Sequence, residues 1–108
     1  VNTEEFKTIV EKRKDIEREI NNLSENPDLW GEVLLPGYWA EYYYWKGKEI
    51  DEEEEEEIKG FIHRVRWFWK SCKEEVAFGY GDLLSTAYDY ILDDKEKASE
   101  VFKEMKKR

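Results

Sequence analysis

The chain is 108 residues long, 42% charged and 16% aromatic, with a formal net charge of −9. That length suits one domain that buries roughly two-thirds of its unfolded surface, and the aromatic content argues against the disorder such a charge density otherwise implies. The apolar runs are too short for a membrane span or the core of a signal peptide, the single cysteine, Cys72, excludes an internal disulfide and a cysteine-based zinc site, and the acidic balance disfavours nucleic acid while favouring basic partners. The expectation is a single cytoplasmic domain spanning residues 1–108.

Phe6, Ile9, Arg13, Ile16, Ile20 and Leu23 recur at steps of three and four, the spacing of one helical stripe. They predict a helix from about Thr3 to Ser24, started by a capping box of Asn2 and Glu5 and ended by Asn26-Pro27. Arg13 stands where an aliphatic residue is expected. Either its stem is buried and its head reaches water, or it forms a buried ion pair that fixes the register of a partner helix or a dimer. Residues 27–37 hold both prolines and two glycines, and read as a connecting loop with apolar anchors Leu29, Trp30, Val33 and Leu34 and room for a short strand. Six of the eight residues from Tyr38 to Trp45 are aromatic, a composition that favours strands. A short helix over 38–46 is the preferred reading, closed by a Lys46-Gly47-Lys48 turn with Gly47 in the left-handed region. Ala40, Tyr42, Tyr43 and Gly47 resemble the first half of a tetratricopeptide unit, but no second copy follows and no repeat family is assigned.

Asp51 caps the next helix and opens a run of seven acids that ends at Glu57. Ile58, Phe61, Ile62, Val65, Phe68, Trp69, Cys72 and Val76 form the strongest stripe in the chain and predict a long central helix over about 51–78, stopped by Gly79-Tyr80-Gly81. Such a helix would measure roughly 40 Å, more than the diameter of a domain of this size. Either Gly60 bends it or its acidic end protrudes. Asp82 is the expected cap of a fourth helix (Leu84, Ala87, Tyr88, Ile91), and Asp93 with Glu96 the capping box of a fifth (Ala98, Val101, Phe102, Met105). The fold class is all-α, a compact bundle of four to five helices.

Charge is concentrated: residues 31–57 carry −8, whereas 58–81 carry +3. The helix dipole favours the first few acids of the run, but those beyond the first turn repel one another. Placed at 100° per residue, the aromatic segment surrounds its helix, so one core face cannot bury all of it. Both surpluses point to a protein-interaction or regulatory module, in which Trp39, Tyr42, Tyr43, Tyr44 and Trp45, with Glu52, Glu53, Glu55 and Glu56, dock a basic protein partner. A nucleic-acid-binding groove is one such target, with carboxylates standing where phosphates would lie.

The segment from Arg64 to Lys73 interleaves bases with aromatics, as single-strand binders do, but on a helix only Trp67 is left to stack between the charges. Asp89, Asp93 and Asp94 are at most a weak cation site. No phosphate-cradling loop, histidine pair at metal spacing or nucleophile motif is present. No catalytic residue, metal or cofactor is therefore assigned. Two other readings stand beside the leading one: a small-ligand binder or enzyme with an aromatic pocket around His63 and Trp67, and a structural homo-oligomer, such as a homodimer, through helix 1 and the aromatic face. The abundance of Glu and Lys beside a single Met is thermophile-like.

Overall fold

Glu54 donates its amide to the Asp51 carboxylate at 2.9 Å and returns a carboxylate to the Asp51 amide at 3.3 Å, a reciprocal cap that opens a helix at Glu52 as the sequence predicts. Four residues earlier Gly47, at φ +74°, makes the left-handed turn that ends the preceding helix. The computed structural model describes residues 3–20 and 22–107. The proposed Asn2 cap lies outside them. Five helices follow in order: α1 (Thr3–Glu19), α2 (Pro27–Trp45), α3 (Glu52–Ser71), α4 (Glu74–Tyr90) and α5 (Lys95–Lys107), with a single 3-10 turn at Leu23–Glu25. The fold is an all-α bundle, without a strand among the described residues.

The helix boundaries depart from the sequence expectation in three places. First, α1 ends at Glu19 rather than Ser24, because the Asn22 side chain accepts the Ser24 amide at 3.0 Å and tightens the chain into the 3-10 turn. Second, residues 27–37 are not a loop. Pro27 sits at the first turn of α2, where a missing N–H costs nothing, and the helix runs on through an exposed Pro36 to Trp45. Packing overrides the local cost of that proline, since Gly31 and Gly37 press the α2 backbone against neighbouring side chains.

Third, the long central helix is two helices. At the corner Cys72 and Lys73 turn extended, the Lys73 amide donates to the Asp28 carboxylate at 2.7 Å, and the Cys72 thiol donates to the Pro27 carbonyl at 3.1 Å. The start of α2 thus caps the α3–α4 corner from 45 residues away. Gly79-Tyr80-Gly81, the expected stop, lies inside α4. A side chain at Gly81 would lie 2.8 Å from Met105 Sδ, so the glycine serves the approach of α5 rather than a turn. Asp82 is accordingly within α4 and caps nothing at its start. Asp94, not Asp93, caps α5, accepting the Lys97 amide at 3.1 Å, while Asp93 takes the left-handed conformation at φ +50°.

α1 packs on α2, α2 on both α3 and α4, α3 on α4, and α4 on α5. The predicted stripe of α3 is buried throughout, from Ile58 to Cys72. It meets an aromatic centre in which Phe68 stacks on Tyr80 at 4.9 Å and Tyr38 stands 5.9 Å from Phe68. The Tyr80 hydroxyl donates to the Gly31 carbonyl at 2.6 Å, tying α4 to α2. Burial raises the Tyr80 phenol above its ordinary range and pushes the Cys72 thiol up to about 12, so at neutral pH both groups are uncharged donors.

Candidate functional site

Arg13 settles its own question. It is 2% exposed and pairs with Glu41 of α2 and, at 2.7 Å, with Glu17 one turn along α1. Its guanidinium also lies 4.4 Å from the Tyr38 ring centre. The Tyr38 hydroxyl donates to Glu17 at 2.6 Å, and Trp45 Nε1 donates to Glu41 at 3.1 Å. Arg64 of α3 approaches Glu17 at 3.8 Å. The buried ion pair is therefore the reading that holds, and the partner helix is α2. Burial, and then the neighbouring Glu17 carboxylate, raise the Tyr38 phenol above its usual range.

This network explains where the aromatics go. Tyr38 is fully buried, and Tyr42 and Trp45 are buried beside it. The two of these assigned to partner contact, Tyr42 and Trp45, are therefore core residues whose rings are already occupied. Trp39 and Tyr44 are half-buried, and Tyr43 is 49% exposed with its ring stacked on Phe6 at 5.4 Å. The residues before the segment are helical rather than a loop, and the cover comes from α1, α3 and α4.

Trp39 and Tyr43 lie on the outer side of α2, with Leu29, Val33 and Pro36 at helical spacing beside them. Tyr44 and Trp45 instead border a cleft of about 210 Å³ between α1, α2 and α3, whose rim includes Lys7, Lys14 and Glu57. The aromatic segment and the acidic run do meet, through Lys48. Its ammonium pairs with Glu54, donates to the Tyr44 hydroxyl at 3.1 Å, and lies 5.1 Å from the Trp45 ring.

Glu52, Glu53, Glu55 and Glu56 are all exposed, and the first buried residue of α3 is Ile58. The choice between a bend and a protruding end does not arise, because α3 stops at Ser71. Among the described residues only Lys48 with Glu54 and Lys59 with Glu56, the latter at 3.4 Å, relieve the run. Glu52, Glu53, Glu55 and Glu57 make no ion pair among the described residues.

His63 and Trp67 fall on one groove, which also takes Arg64 and the turn after α1. His63 is exposed and Trp67 half-buried. Of the aspartates weighed as a cation site, Asp89 faces Lys95 at 3.5 Å and Asp94 is a cap. Among the described residues no three His, Cys, Asp or Glu side chains gather around a metal position, and no helix is long and apolar enough to cross a membrane.

Sequence reasoning missed Glu41. Its only signal is that it is the polar break in an aromatic helix, four residues before Trp45 and opposite the anomalous Arg13. It also mis-set α1 by a fraction of a turn. Val10 and Arg13 face the core, whereas Ile9 and Ile16 are 41% and 37% exposed. No family model matches the chain, and no curated protein or solved structure is significantly similar to it.

Proposed function

We propose that the protein is a non-enzymatic interaction module that docks a basic protein partner through the acidic start of α3. The carrying observation is that none of the first six residues of α3, Glu52 to Glu57, is buried. A helix start without a buried residue, four of whose carboxylates make no ion pair among the described residues, suits electrostatic capture of a cationic surface. Lys48 and the edge of Tyr44 bound this surface on the α2 side. In its finer form the target is a nucleic-acid-binding groove whose basic lining accepts carboxylates in place of phosphates. The site of action is then the cytoplasm, where Cys72 stays reduced.

Replacing Glu52, Glu53, Glu55 and Glu56 by Gln should weaken the complex with a basic protein captured from the native host by at least roughly tenfold, and flatten its dependence on salt. An unchanged affinity and salt slope would reject this surface.

A second reading is favoured by the outer face of α1 and α2, where Ile9, Ile16, Leu29, Val33 and Tyr43 are all exposed. Single exposed apolar side chains are ordinary, but several on two neighbouring helices favour association. In this reading two chains pair through that face as a homodimer, away from the acidic pole. Sedimentation velocity would then give a two-chain mass at high protein concentration, reverting to one chain in Val33→Glu. A monomer throughout removes the homodimer.

A further inference from the structure

Where α2 ends and α3 begins, the chain assembles the groups that recognise an ammonium ion: a carboxylate, a hydroxyl and aromatic rings. Glu54 gives one carboxylate oxygen, Oε1, to the Asp51 amide and turns the other, Oε2, to a cation. The reciprocal cap of α3 fixes its position. Tyr44 and Trp45, in the last turn of α2, meet edge to face at 4.7 Å, and Trp45 Nε1 is anchored on Glu41. Carboxylate and rings are thus held by bonds that do not involve the cation they face.

That cation is the chain's own Lys48. Its ammonium pairs with Glu54, donates to the Tyr44 hydroxyl, and lies 4.7 Å from the Tyr44 ring centre and 5.1 Å from that of Trp45. The hydrogen bond to Glu54, and then that to Tyr44, raise the Lys48 amine above its ordinary range. Lys46, two residues earlier, carries the same charge without such a seat. Its ammonium has no ion pair or hydrogen bond among the described residues and only approaches the rings of Tyr90 at 5.3 Å and Tyr42 at 5.9 Å.

Lys48 fills this seat without being locked into it. Its side chain is 36% exposed and that of Glu54 21%, and single pairs so open to water contribute little to stability. A side chain at Gly47 would meet no atom within 4 Å, so the turn itself is unpacked. The four-carbon stem of Lys48 can leave by rotation alone, which uncovers Glu54 beside the exposed acids Glu52, Glu53 and Glu55.

We propose that Tyr44, Trp45 and Glu54 form a lysine-binding subsite that Lys48 occupies in cis, and that a lysine side chain of the basic partner displaces it. The choice of occupant rests on the interaction surface proposed at the start of α3. A compact ammonium with three donors matches the position that Lys48 vacates, whereas the planar fork of arginine does not.

Titration with N-acetyl-lysine methylamide, and with the uncharged norleucine analogue, tests the subsite at constant ionic strength. The readout is the chemical shift of the Tyr44 and Glu54 amides and of the Trp45 indole N–H. In Lys48→Ala the lysine probe should give saturable shifts at these positions, and the norleucine analogue none. The native chain should bind the probe at least about threefold more weakly than Lys48→Ala, the loss expected when a competing group fills the site about two-thirds of the time. Lys46→Ala removes an equal charge but leaves Lys48 seated, and should behave as the native chain does. No saturable shift in Lys48→Ala up to about 50 mM, a smaller difference from the native chain, or an equal gain in Lys46→Ala overturns the proposal. Because the probe needs no partner protein, this outcome is separate from that of the glutamine substitutions that test the interaction surface.

Discussion

Arg13→Ala should lower the unfolding free energy by about 3–5 kcal/mol, the range for removing one partner of a buried ion pair. The loss has three sources. Glu41, 2% exposed, would keep only the Trp45 indole as a donor. Glu17 would retain the Tyr38 hydroxyl and a distant Arg64. The arginine stem that fills the contact with Gly37, and the guanidinium over the Tyr38 ring, would leave space behind. Because domains of this size are stable by about 5–15 kcal/mol, one substitution removes a large share of the total. The sign of the pair's net worth is a separate matter. Two buried charges bear a desolvation cost, so Arg13→Met combined with Glu41→Leu should regain most or all of the native stability. Urea unfolding followed by tryptophan fluorescence measures both. A loss in the single variant of no more than about 1 kcal/mol, as for an exposed pair, would show that Glu41 finds water and that the network is not sealed.

The same pair marks the limit of what the sequence made legible. Element type was readable wherever the apolar period was strong: α3 and α4 bury the predicted Ile58, Phe61, Ile62, Val65, Phe68, Trp69, Leu84 and Ala87. Local chemistry was readable in part: the Asp51 cap and the Gly47 turn stand, whereas the Asn22–Ser24 turn and the Asp94 cap, equally local, went unread. The larger failures were settled at long range. The corner at Cys72 has no local stop signal, and its cap comes from Asp28. Gly79 and Gly81 carry a local stop signal that tertiary packing overrules, because their missing side chains admit Leu35 and Met105. Pro36 reads as a breaker, but the helix containing it is held by contacts on three sides. Of the candidate site, the exposure of the acidic run and the convergence of His63 with Trp67 follow from helical spacing. The division of the aromatics into core and surface does not, since it depends on where α1 lies.

Where α1 lies is set by Gly37, and Gly37→Ala should destabilise the fold by about 2–3 kcal/mol. A methyl group at Gly37 would fall 2.6 Å from Arg13 Cβ and 2.7 Å from Arg13 Cγ. The Cβ is fixed to the α1 backbone, so no rotamer change moves it aside and the two helices must separate. Separation lengthens the reach from Arg13 to Glu41 at the same time, which couples the overpacking cost to the ion pair. Opposing this is a helix-propensity gain of roughly 1 kcal/mol for Ala over Gly. Gly60→Ala isolates that gain, because its methyl group would meet only the flexible tip of Arg64 at 3.4 Å. It should raise stability by up to about 1 kcal/mol. The two substitutions are chemically identical and both lie inside helices, so opposite signs in parallel denaturation curves would assign the difference to the α1–α2 contact. Destabilisation by both would mean that the space at Gly60 is also required, and stabilisation by both that α1 yields to the methyl group without loss.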